Sequence, residues 1–153
     1  MDGWSDGEWL TLQLGPVWVI SALVGRSQFD ELEQAAFWRG VDDAPQESPL
    51  GWQLMRAMTR NREWLLDEFA LDDRSIVSGL NQVASLLERV PPEVSRDARE
   101  FMLRVGTALA RARGPFGQRM SDQDALTLQL VAQLLETAKE TAENNPLNAA
   151  VAI

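Results

Sequence analysis

Residues 9–25 carry no charged side chain. A bilayer is crossed by roughly 17–25 apolar residues, so this run sits at the low edge of what could span one. Thr11, Gln13, Gly15, Pro16 and Ser21 interrupt it. A helix buried in the middle of a protein fits such a mixture better than a membrane span does. Its start is marked: Ser5-Asp6-Gly7-Glu8 has the capping-box spacing, in which the Ser hydroxyl accepts from the Glu amide and the Glu carboxylate reaches back. Trp4 and Trp9 stand at the staple positions on either side. Leu10, Leu14, Val17, Ser21 and Val24 recur with helical spacing, and Leu12, Trp18, Val19 and Leu23 carry apolar surface around the rest of the cylinder. Pro16 cannot donate to the carbonyl of Leu12, so a kink is expected there. A helix apolar on every side needs other helices around it.

The remaining segments supply them. Ser27, with Asp30 three residues on, is expected to cap a second helix that ends at Gly40, with Phe29, Leu32, Ala36 and Trp38 facing inward. Residues 41–48 read as a loop. Ser48-Pro49 opens a third helix, expected to run unbroken to Phe69 on Leu50, Leu54, Met58 and Leu65. Asp72 is expected to cap a fourth, whose Ile76, Leu80, Val83, Leu87 and Val90 fall at i, i+4, i+7, i+11 and i+14 before Pro91-Pro92 stops it. The fifth starts near Glu93 or Ser95 and runs to Ala112 on Phe101, Val105, Ala108, Leu109 and Ala112. Ser121 caps the sixth, with Leu126, Leu130, Val131, Leu134, Leu135 and Ala138 as its stripe to about Glu140. No segment alternates with period two, and hairpin turn pairs are absent. The expected fold is therefore all-α: one domain over residues 1–143, a bundle of about six helices. A tail over 144–153 is expected to be flexible or to dock.

Composition narrows the chemistry. The chain has no cysteine, histidine or tyrosine, so zinc, copper and haem lack their usual ligands and the commonest general base is missing. Neither a cofactor nor a metal is expected. No glycine-rich phosphate loop and no nucleophile–base arrangement occurs, and an enzyme is not expected. The formal net charge is −9, which argues against nucleic acid as a partner. Acidic Asp2, Asp6 and Glu8 stand where a basic leader would begin, so a cytoplasmic location and no membrane span are expected.

Three groups of residues are candidates for function. Acids cluster at Asp30/Glu31/Glu33, Asp42/Asp43/Glu47, Asp72/Asp73 and Asp122/Asp124, but acids in a first helical turn are expected from the helix dipole alone. All six tryptophans lie within residues 1–64, where they could build a ligand pocket, an interface hot spot or simply core. Arg96, Arg99, Arg104, Arg111, Arg113 and Arg119 lie on one helix and its following loop, opposed locally only by Asp97 and Glu100. Arg104 and Arg111 are seven apart and share a helix face. These guanidinium groups could hold carboxylates or phosphates bidentately, or pair with the chain's own acids.

Two segments share a layout. An apolar helix over residues 10–25 is followed by Ser27-Gln28-Phe29-Asp30, and an Ala-rich helix ending Ala110-Arg111-Ala112-Arg113-Gly114 is followed by Ser121-Asp122-Gln123-Asp124. Over residues 96–136, and more loosely over 10–34, the chain resembles the TerB-type helical domains of tellurite resistance. The resemblance implies an all-α, roughly duplicated fold, with a divalent cation held by an Asp before the glycine and a downstream acid. Here Arg113 stands in that Asp position in one half and Val24 in the other, and the second loop is longer. The resemblance therefore extends to the fold and not to the cation site.

The expected function is a non-catalytic helical protein-interaction module or accessory subunit. Its protein partner, or a second copy of the chain, would meet Arg104, Arg111, Arg113 and Arg119 or an exposed tryptophan patch. The alternative is a TerB-like stress protein that binds a divalent cation through carboxylates.

Overall fold

A computed structural model describes residues 3–44, 48–114 and 119–136. Seven helices occur among them: α1 Asp6–Val24, α2 Glu31–Asp43, α3 Pro49–Arg60, α4 Leu65–Leu71, α5 Ile76–Leu87, α6 Pro92–Ala112 and α7 Asp122–Leu135. No strand is present among the described residues. The expected sites Glu47, Ala138 and Glu140, the loop at 115–118 and the tail at 144–153 lie outside them.

α1 is the axis of the bundle. Every residue from Thr11 to Ser21 is buried, because α3, α4, α5, α6 and α7 all pack against it. The Ser5–Glu8 capping box is closed by two hydrogen bonds of 2.9 and 3.1 Å. The helix runs through Pro16 and ends at Gly25, whose φ of 76° is the left-handed conformation that glycine adopts without steric cost. Gln13, buried in this helix, donates to the carbonyl of Trp9 and accepts from Asn61 at 2.7 Å. No described helix is long and apolar enough to cross a membrane.

The structure corrects several boundaries. The expected third helix is two helices, α3 and α4, so seven helices stand among the described residues where about six were expected. The chain turns at Asn61, whose amide bonds back to the Ala57 and Met58 carbonyls while Trp64 and Leu65 donate to its own carbonyl. The Asn61 side chain is held by Gln13, and the turn delivers Leu65 and Phe69 to the core. Asp30, not Ser27, caps α2, in a capping box with Glu33 that Arg26 reinforces from 2.7 Å. α2 passes through Gly40 to Asp43. Gly40 serves instead as a close-approach point, since a Cβ there would lie 3.2 Å from the Ala108 Cβ and 3.3 Å from the Val105 Cα. Ser75, not Asp72, caps α5. Asp72 is engaged by Arg74, which also donates to Thr11 and Gln82 and lies 4.7 Å over the ring of Trp18. α6 opens at Pro92 without a side-chain cap.

Some expected inward residues face solvent. Leu32 is 83% exposed, and Leu126, Leu130 and Ala112 are also exposed. On α7 the burial falls on Val131 and Leu135 of the expected stripe and on Asp124, because α7 meets α1, α5 and α6 over a narrow face. Leu32 sits in the first turn of α2, and with the cap moved from Ser27 to Asp30 the inward face is set by Phe37, Gly40 and Val41.

Candidate functional site

α2 and α6 pack antiparallel, with Gly40 crossing over Val105 and Ala108. Small side chains at Ala36, Gly40, Ala108 and Ala112 bring the helices close and leave a groove above the crossing. One half of the groove encloses about 490 Å³ and is lined by Ala36, Arg39, Gly40, Asp43, Ala44, Arg104, Thr107, Ala108, Arg111 and Ala112. It shares Ala36, Arg39 and Ala112 with a second half of about 460 Å³, where Leu32, Ala35 and Leu109 supply an apolar lining and Asp30, Glu33 and Arg113 form the rim. The groove is therefore two-part: an arginine half and a more apolar half.

In the arginine half three guanidinium groups face one carboxylate, that of Asp43. Neither the Arg39 nor the Arg111 side chain has an ion pair or hydrogen bond among the described residues. Arg104 meets Glu100 one turn earlier on its own helix at 3.6 Å, with both side chains more than two-fifths exposed. Such an exposed pair is worth about 0–0.5 kcal/mol and does not tie the arginine down. A positive strip in a chain of net charge −9 is thus not neutralised by close ion pairs among the described residues.

The other two arginines singled out in the sequence stand apart. Arg113, just past the end of α6, reaches Asp124 through Nε at 3.1 Å and Nη2 at 3.3 Å. Asp124 is in the first turn of α7, its backbone amide capped by Ser121. Arg113 thereby links two helices, and the acid that a cation would need already has a counter-charge. Arg119 is exposed beyond the loop, and it does not line either half of the groove. Among the described residues no three carboxylates gather closely enough to hold a metal ion.

The tryptophans divide between core and surface. Trp18 is buried, Trp4, Trp9 and Trp38 are half-buried, and Trp52 and Trp64 are 47% and 44% exposed. Four of them carry an arginine over the ring at 4.5–4.7 Å: Arg89 on Trp4, Arg74 on Trp18, Arg62 on Trp38 and Arg56 on Trp52. Arg89 also pairs with Glu8 at 2.6 Å and Arg62 with Asp42 at 2.6 Å. These arginines are structural, each covering an indole face while meeting an acid or solvent.

The electrostatics of the engaged acids follow from their partners. The Ser5 amide, helped by Arg89, holds the Glu8 carboxyl below its ordinary value. Hydrogen bonds from Arg26 do the same for Glu33, and those from Arg74 for Asp72.

Arg39 is the groove residue that the sequence did not single out. It lies 65 residues before Arg104 on another helix, and only the antiparallel crossing at Gly40 brings the two together. Comparison of the chain with protein-family models, with curated proteins and with solved structures finds no match.

Proposed function

We propose that this protein is a non-catalytic helical interaction module, a cytoplasmic adaptor or accessory subunit, and that the groove between α2 and α6 receives an acidic segment of a protein partner. One observation carries the reading. Arg39, Arg104 and Arg111 line one half of the groove, where Asp43 is the only carboxylate among the described residues, and the side chains of Arg39 and Arg111 have no ion pair or hydrogen bond among those residues. The adjoining half supports it: exposed Leu32, with Ala35, Ala36 and Ala112, offers an apolar surface next to the charges. An amphipathic acidic segment matches both halves, placing carboxylates on the arginines and an apolar side chain beside Leu32.

Arg113 belongs to the scaffold in this reading, and Arg119 contributes at most to the long-range field. The double change Arg104→Glu plus Arg111→Glu tests it. Stability should change by no more than about 0.5 kcal/mol, the usual range for surface positions. Partner proteins recovered with the wild-type chain from its source cells should be lost with the variant. Unchanged recovery with the charges reversed would exclude the groove as the docking surface.

A further inference from the structure

We infer that the arginine half of the groove recognises a phosphorylated serine or threonine on the acidic segment, an inference that rests on the docking reading above and specifies its central contact. The charge balance points this way. Arg39, Arg104 and Arg111 face Asp43 in this half, and Glu100 meets Arg104 only in an exposed pair at 3.6 Å, which leaves a formal excess of one to two positive charges. A phosphomonoester carries about −1.5 to −2 near neutral pH and offers three strong acceptor oxygens. A side-chain carboxylate carries one charge and offers two acceptor oxygens. Arg39 stands on the α2 wall, and Arg104 and Arg111 stand on the α6 wall about 10 Å apart along the helix axis. A tetrahedral phosphate between the walls presents oxygens to both sides, with more charge and one more acceptor oxygen than a planar carboxylate brings to the same donors.

The floor supports a bulky head group. Gly40, Ala108 and Ala112 project little into a space of about 490 Å³. No backbone donor substitutes for the arginines here. Arg111 lies in the last turn of α6, where the helix dipole is negative and repels anions. Binding must therefore come from the guanidinium groups, and each should matter.

The test uses the full chain and three short peptides with the same acidic flanks and one leucine, differing only in a central phosphoserine, serine or glutamate. Titration calorimetry at moderate salt gives the affinities. The phosphoserine peptide should bind about tenfold or more tighter than either of the others. Arg39→Gln, Arg104→Gln and Arg111→Gln should each remove most of that difference while leaving the melting temperature unchanged. Equal affinity for the glutamate and phosphoserine peptides would overturn the phosphate inference and leave the acidic-segment reading standing. No binding by any peptide would overturn both. Inorganic phosphate binding as tightly as the phosphoserine peptide would also overturn the inference, because the site would then be reading a free anion and not a modified segment.

Discussion

The Arg113 guanidinium lies 3.1 Å from the carboxylate of Asp124, a side chain only 4% exposed, and joins the end of α6 to the start of α7. The two partners are not equivalent. Removing Arg113 leaves a buried carboxylate without its counter-charge, whereas removing the Asp124 charge leaves an arginine that can turn to water. A fully buried pair broken this way costs about 3–5 kcal/mol, and the 38% exposure of Arg113 lets solvent screen part of it. Arg113→Ala should therefore cost about 1–2 kcal/mol and Asp124→Asn less, about 0.5–1 kcal/mol. Urea midpoints compare the two, and the reverse order would mean that Asp124 is not held by Arg113.

Gly79 of α5 lies against the indole of Trp18. A Cβ there would overlap Cε2 of the ring and come within 2.6 Å of Cδ2. Helix propensity alone favours Gly→Ala by about 1 kcal/mol, and overpacking a rigid buried ring costs about 1–3 kcal/mol. Arg74 covers the ring and Phe69 meets it edge-on at 5.9 Å, so Trp18 has little room to yield. Gly79→Ala should lower stability, measured by denaturant unfolding. A stabilised variant would show that α5 stands farther from α1.

The capping residues give a third expectation. Ser5 and Ser121 accept from the amides of Glu8 and Asp124, each at 3.1 Å. Ser→Ala at either should cost about 1 kcal/mol. Ser27→Ala should be close to neutral, since Asp30 performs the capping of α2. Thermal melts of the three variants test this ordering, and a Ser27 variant as damaged as the other two would contradict the placement of the α2 start.

Much of this was legible because local chemistry decided it. The Ser5–Glu8 box, the uncharged run over α1, the cap at Ser121 and the Ile76–Leu87 stripe are short-range signals that tertiary packing reinforced. The break at Asn61 was hidden for the opposite reason. No glycine or proline marks it, and the bond that fixes it comes from Gln13, 48 residues away. Asp30 and Ser75 took over caps expected at Ser27 and Asp72, each an acceptor three residues from a competing one. For Asp72 the competition was settled by Arg74, whose anchors on Thr11 and Trp18 lie in another helix. The groove divided in the same way. The spacing of Arg104 and Arg111 on one face could be read from the helix period, while Arg39 entered only through the helix crossing. The fate of Arg113 depended on the fold-back that sets it beside Asp124.

Stability should respond to acid and hardly at all near neutrality. Glu8, Glu33 and Asp72 have folded-state pKa values below their ordinary ones. The unfolded chain therefore binds more protons than the folded chain as pH falls through the carboxylate range. The stabilisation they provide is complete above their unfolded values of 4.5, 4.5 and 3.8 and is lost as pH drops through the lower folded ones. With no histidine or cysteine in the chain, no side chain with an ordinary pKa titrates between about pH 6 and 8. Melting temperatures should stay level across that interval and decline steadily below about pH 4.5. A step near neutral pH would point to a side chain shifted far from its normal range or to an α-amino group, whose ordinary value is about 8.

The groove claim is tested most directly by fluorescence anisotropy of a labelled acidic amphipathic peptide, titrated with the wild-type chain and with the triple variant Arg39→Gln, Arg104→Gln, Arg111→Gln. The variant should keep the wild-type melting temperature, because none of the three side chains has a strong partner among the described residues. Binding to the wild-type chain should weaken as salt is raised from about 50 to about 300 mM, and binding to the variant should fall by at least about tenfold at the lower salt. Equal affinity for both chains, insensitive to salt, would contradict the assignment of the α2–α6 groove as the site for an acidic partner.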